Sequence, residues 1–404
     1  MPFHIGRYAL CAGIAATLLS ACGGGNALPL NASSAERTRP AVAYGVVYSF
    51  KGGSRDGENP YTGLINVGDT IYGTTADGGT EGTGTVFAIG KTGKESVVHL
   101  FGGSGDGANP YAGLLNVKGT LYGTTFDGGT NKFGTVFATT TSGAESVLYS
   151  FGALGGDYPE AGLIDVKGTL YGTTADGGTN SVGVVFAITK SGAESVPHNF
   201  AGGSGDGAVP YAGLLDVKGT LYGTTEYGGA NNAGTVYAIT TSGTTSVVHS
   251  FGGPGDGGYP LAALINVGGT LYGTTVTGGA SCGSYHITGC GVVFAIAPSG
   301  AESVLHSFGG SGDGVYPYGG LVNVKGTLYG TAEAGGANCS PFGCGVIFSL
   351  TRSGTETVLH NFGASGDGEY PGATLLNVKG TLYGTTVDGG KNDDGTVFSL
   401  KSNP

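Results

Sequence analysis

One carboxylate returns at a fixed place along the chain: Asp56, Asp106, Asp157, Asp206, Asp256, Asp313 and Asp367. All but Asp157 are followed by Gly. Carboxylates at regular spacing could bind Ca²⁺, hold a sugar or shuttle protons. Ca²⁺ needs roughly six to eight oxygen ligands. Each of these segments offers one or two carboxylates, and the D-x-D-x-D-G spacing is absent. Asp-Gly is also a turn signature, in which the carboxylate accepts from backbone N–H groups. A carboxylate present in every unit reads first as scaffold. Tyrosines follow closely: Tyr61, Tyr111, Tyr158, Tyr211, Tyr259, Tyr316, Tyr318 and Tyr370. Aromatic faces beside carboxylates suit sugars, but tyrosines also fill packed junctions and anchor their hydroxyls there.

His99, His198, His249, His306 and His360 occupy one position of a repeated segment ("VVHLF", "VPHNF", "VVHSF", "VLHSF", "VLHNF"), where Tyr48 and Tyr149 substitute. Residues so spaced fall in different units, so they are not expected to gather around one metal. The chain has no H-E-x-x-H or P-loop. No catalytic set emerges, no metal site is assigned, and no cofactor is expected beyond the Ca²⁺ that the acidic turns suggest. Two cysteine pairs, Cys282 with Cys290 and Cys339 with Cys344, each bracket one turn. Local disulfides are the expectation for an exported chain, with a zinc site the alternative at Cys282 and Cys290 near His286.

The elements that must carry these residues repeat about every fifty positions. "LYGTT" or a close variant centres on Tyr72, Tyr122, Tyr171, Tyr222, Tyr272, Tyr329 and Tyr383. Each unit holds four short β-like runs, for example "YAGLLNV" (111–117), "TLYGTT" (120–125), "GTVFATT" (134–140) and "ESVLYSF" (145–151). They are designated A to D. Four strands in a repeat of this length form a β-propeller blade. Apolar residues on both alternation faces fit sheets covered on both sides. The fold class is therefore all-β, a propeller of seven four-stranded blades. The domain (44–404) starts on a D run at 44–50 and ends on a C run at 395–400. The N-terminal strand is expected to complete the last blade and so remove an open sheet edge.

The long D–A and B–C turns share one end of such a propeller, which also gathers Asp77, Asp127, Asp176 and Asp388. The short turns carry Lys118, Lys167, Lys218, Lys325 and Lys379. The acidic end is the expected ligand face, because variable loops on a fixed scaffold carry binding residues. Candidates there are Asp157, Tyr158, Glu160, Asp256, Tyr259, Asp313, Tyr316, Asp367 and Tyr370, with Tyr285, His286 and Phe342 on the cysteine-bracketed loops.

Of 404 residues, 86 are Gly, and only 11% are charged. A disordered chain would be richer in charge. The net charge of −11 argues against nucleic acid as a partner, since counterion release needs a basic face. Residues 1–21 carry Arg7 and the short apolar run "YALCAGIAATLL", and "LSAC" ends at Cys22. This resembles the bacterial lipoprotein signal, which implies cleavage before Cys22 and its lipidation. Gly23 rather than Asp after the Cys implies the outer membrane. Residues 22–43 read as a Gly/Ala/Ser/Pro tether.

The pattern "LYGTT–GG–GTVFAI–G–SVLHSF–DG–P–AGL" over 44–400 resembles the GloVer-type tandem repeat of bacterial secreted and surface-anchored proteins. The resemblance implies no catalytic residues. The reading is a monomeric, lipid-anchored binding scaffold for a glycan or protein. The alternatives are a polysaccharide lyase or hydrolase at the axial mouth and a structural spacer.

Overall fold

In each "LYGTT" the β-branched and aromatic residues favour an extended chain, and Leu121, Tyr122, Thr124 and Thr125 of the second copy are all buried. The computed structural model describes residues 43–152, 154–279 and 289–401. Cys22, Cys282, Tyr285 and His286 lie outside the described residues. In that second unit the strands are 115–117, 120–125, 135–140 and 145–150, paired antiparallel in chain order. Strand A is shorter than the sequence suggests: 111–114 leaves the ladder and lies beside the axis. Seven such sheets occur among the described residues. The last one is composite. Ala43–Ser49 pairs with Thr396–Lys401, placing Tyr44 opposite Leu400 and Ser49 opposite Thr396. The N-terminal strand is thus the outer strand of the seventh blade, and the A strands touch in a closed cycle.

What recurs in the sequence recurs at the blade junctions. The Phe that ends strand D meets the aromatic ring of strand C in the next blade. The pairs are Phe50–Phe87, Phe101–Phe137, Phe151–Phe186, Phe200–Tyr237, Phe251–Phe294, Phe308–Phe348 and Phe362–Phe398, all 5.0–5.1 Å apart and edge-on. The Gly of "YGT" makes room for that ring: a Cβ on Gly73 would stand 2.6 Å from Phe87 Cζ. The next residue, Thr, donates its hydroxyl to the following blade. Thr74 bonds Ala112 O at 3.0 Å, Thr124 bonds Ala161 O at 3.0 Å, and Thr385 closes the ring onto Thr62 O at 3.1 Å. Around the axis small residues let backbones meet: a Cβ on Gly113 would lie 3.0 Å from Gly63 O. Thr374 breaks that run, and its Oγ1 accepts from Gly320 N at 2.8 Å.

Tyr237 departs from the six phenylalanines at its position. It is buried at 1% exposure, and its hydroxyl has no hydrogen-bond partner. An unmade buried bond costs about 1–3 kcal/mol. Tyr237→Phe should therefore stabilise the protein by about 1–2 kcal/mol, read as a higher denaturant midpoint at unchanged slope. A lower midpoint would show that the hydroxyl is satisfied.

Candidate functional site

The D–A and B–C turns do share one face, because they pair with each other. Gly57–Glu58 forms a small ribbon with Asp77–Gly78, and five other repeats do the same. The shortened third turn keeps a single bridge, Asp157 to Asp176. The far face is less basic than its lysines suggest. Lys91 pairs with Asp69 and Lys190 with Asp165, each at 2.8 Å.

The residue before each recurring Pro is held left-handed, with φ of 56° at Tyr158 and Tyr259 and 59° at Tyr316 and Tyr370. Its backbone clamps neighbouring blades. Tyr259 N–H donates to Ala233 O of the preceding blade, and Tyr259 O accepts from Val276 N–H. These tyrosines are half-buried. Across the first three blades the rings form an arc at the acidic face. Tyr61 lies 5.7 Å from Tyr111, Tyr111 lies 5.4 Å from Phe126, and Phe126 stacks on Tyr158 at 4.7 Å. Carboxylates flank the arc. Asp127, Asp157 and Asp176 all push the Tyr158 hydroxyl upward, after burial. Burial and then Asp176 raise Asp157, whose Oδ1 is buried without a hydrogen-bond partner. Burial and then Glu58 raise Asp77. Glu160 is half-buried beside this sector. Phe342 is 47% exposed on the sixth B–C turn, where Cys339 and Cys344 are joined by a disulfide. Cys290 is buried.

The other aspartates point elsewhere. Asp106, Asp206, Asp256, Asp313 and Asp367 each take the following Gly N–H on Oδ1, at 2.6–2.8 Å. Their Oδ2 atoms meet His99, His198, His249, His306 and His360 at 2.8–3.1 Å. Asp256, Asp313 and Asp367 are therefore committed to the outer blade junctions rather than the axial mouth. The histidines do not gather together, as their spacing requires, but each has a carboxylate partner in its own repeat. Asp56 uses Tyr48 instead, at 2.7 Å. At the closing junction Tyr44 donates to Asp367 and stacks on the His360 ring at 3.6 Å. No catalytic constellation forms among the described residues at either place.

A family model of the Gloeobacter/Verrucomicrobia repeat matches residues 36–181, 90–287 and 281–403. The chain belongs to this Gloeobacter/Verrucomicrobia repeat family. No protein of curated function matches it. Among solved structures, a puromycin hydrolase is similar with a TM-score of 0.52 and 12% identity. That match covers 82% of this chain and 50% of the hydrolase. A europium-containing methanol dehydrogenase gives a TM-score of 0.51 at 11% identity, over 90% of this chain and 93% of the dehydrogenase. A gluconolactonase from Xanthomonas campestris gives 0.43 at 10% identity, over 94% and 98%. Identities this low report the shared fold alone.

Sequence reasoning passed over one group in this Gloeobacter/Verrucomicrobia repeat protein, the Glu that opens strand D. Glu95, Glu145, Glu194, Glu302 and Glu356 reach back to the Asp of the preceding repeat or its tyrosine partner. The aligned position holds Thr245 in the fourth blade and Tyr44 in the seventh. The recurrent "ESV" was the available signal. Burial, and then Asp56, raise Glu95 to about 7, while Lys51 and Tyr48 oppose the shift. Between the ordinary carboxyl range and pH about 7, the native chain keeps a proton that the unfolded chain releases. The native state binds more protons there, so stability falls as pH rises through that window. Thermal unfolding followed against pH should show this decline, and Glu95→Gln should flatten it. An unchanged profile in the variant would reject the assignment.

Proposed function

We propose that the protein is an extracytoplasmic glycan-binding module, held at the bacterial outer membrane through a lipid on Cys22. A sugar chain lies along the arc of Tyr61, Tyr111, Phe126 and Tyr158 on the acidic face. The observation that supports this is the run of half-buried rings with Asp127, Asp157 and Asp176 beside it. Ring faces stack on the apolar faces of sugars, while carboxylates accept from their hydroxyls. A ladder of successive rings fits a chain better than a single monosaccharide. The exposed Phe342, on a loop closed by a disulfide, supports a second sector in the sixth repeat.

The test is a panel of oligosaccharides and polysaccharides titrated onto the purified chain. Tyr111→Ala and Phe126→Ala should each weaken binding about tenfold, the worth of one aromatic contact. Lys118→Ala with Lys218→Ala, on the far face, should leave it unchanged. Loss only with Phe342→Ala would move the site to the second sector. Loss with the lysine pair would place it on the wrong face. Shortening of the polysaccharide during the titration would replace binding by catalysis.

A further inference from the structure

At three outer junctions a His and an Asp of one blade meet a Glu of the next: His99, Asp106 and Glu145; His249, Asp256 and Glu302; His306, Asp313 and Glu356. We propose that these are divalent transition-metal sites, of the zinc type, that clamp adjacent blades at the rim. In each set one imidazole nitrogen and two carboxylate oxygens lie within 4.8 Å of one another. The His Nε2 to Asp Oδ2 separation is 3.0–3.1 Å. Two ligands each about 2.1 Å from one ion stand roughly 3 to 3.5 Å apart, so little movement is needed.

The groups are also prepared for the task. Their His and Asp side chains keep only 10–19% exposure. Each Asp is oriented by the Gly N–H bonded to its other oxygen, at 2.6–2.7 Å. Glu145 Oε1 and Glu302 Oε1 are buried and make no hydrogen bond. Two carboxylates and a neutral imidazole would place a net negative charge in a half-buried pocket, which a divalent cation neutralises. Imidazole selects zinc-like ions over Ca²⁺, whose ligands are oxygens. On binding, the neutral ring takes the tautomer with its proton on Nδ1 in place of the Nε2–H that faces the Asp, and Nε2 gives its lone pair to the ion. Three protein ligands leave one position for water.

The other four junctions are internal controls. Tyr48 and Tyr149 replace the His, Thr245 replaces the Glu beside His198, and Tyr44 fills the place beside His360. The experiment strips the purified full chain with chelator, reloads it with Zn²⁺ or Co²⁺, desalts it and measures retained metal and thermal midpoint. Retention of three equivalents per chain and a raised midpoint are expected. The variant Glu145→Gln, Glu302→Gln, Glu356→Gln preserves shape but should lose the retained metal and the shift. Thr245→Glu completes the junction at His198 and Asp206 and should add a fourth equivalent, whereas His198→Ala should change nothing. Failure to retain metal, or retention unchanged in the triple variant, would overturn the sites.

Discussion

A chain lacking residues 43–50 is expected to lose its cooperative thermal transition or to aggregate. The segment supplies the whole outer strand of the last blade. Phe50 is fully buried and is one half of the Phe50–Phe87 junction. Val47 and Tyr48 pack on the same core, and Tyr44 packs between His360 and Phe398. Burying a large apolar side chain is worth about 1.5–3 kcal/mol, so the strand contributes on the order of 5–10 kcal/mol. That is comparable with the entire net stability of a typical domain, roughly 5–15 kcal/mol. The deletion also exposes Thr396–Lys401 as an unpaired edge, which invites association. Scanning calorimetry and size-exclusion chromatography of the truncated chain measure both effects. A melt unchanged from the full chain would refute closure by the shared blade.

Gly84→Ala should be strongly destabilising, as at the other glycines that open strand C. Gly84 sits at φ +95°, a conformation that costs any other residue strain. A Cβ there would press into the Thr75 carbonyl oxygen and stand 2.7 Å from Pro110 Cδ and 2.8 Å from Ala76 O. None of these can swing away, because Pro110 and the two carbonyls belong to the framework of two blades. Overpacking of about 1–3 kcal/mol adds to backbone strain of similar size, so a loss of about 3 kcal/mol or more is expected. Gly105 is the matched control. It has φ +81° but open space around its added Cβ, so Gly105→Ala should cost only the strain, about 1–2 kcal/mol. Equal losses in urea titrations would show that the Pro110 contact carries no weight.

The periodicity of this chain determined its fold by itself. Four strand-forming runs per repeat, seven repeats and complementary ends admit one economical closed arrangement. Local rules decide this: apolar residues on both faces of a strand need two covered sheet faces, and Gly-rich turns permit antiparallel return. The two-faced division of the loops was legible for the same reason, since alternate turns of an up-and-down sheet emerge at opposite ends. The partners of individual side chains were not legible. Asp256 and Tyr259 are three positions apart, yet the Asp turns outward to His249 at the rim while the Tyr clamps the inner backbone beside Tyr227. Glu145 belongs to a cluster begun 46 residues earlier, at His99. Tyr44 meets Asp367 across 323 residues of sequence. Contacts of this kind arise between blades, and their existence depends on the angle at which one sheet packs on the next. Repetition in the sequence announces that such junctions recur. Only the closed ring decides which residues from neighbouring repeats meet in them.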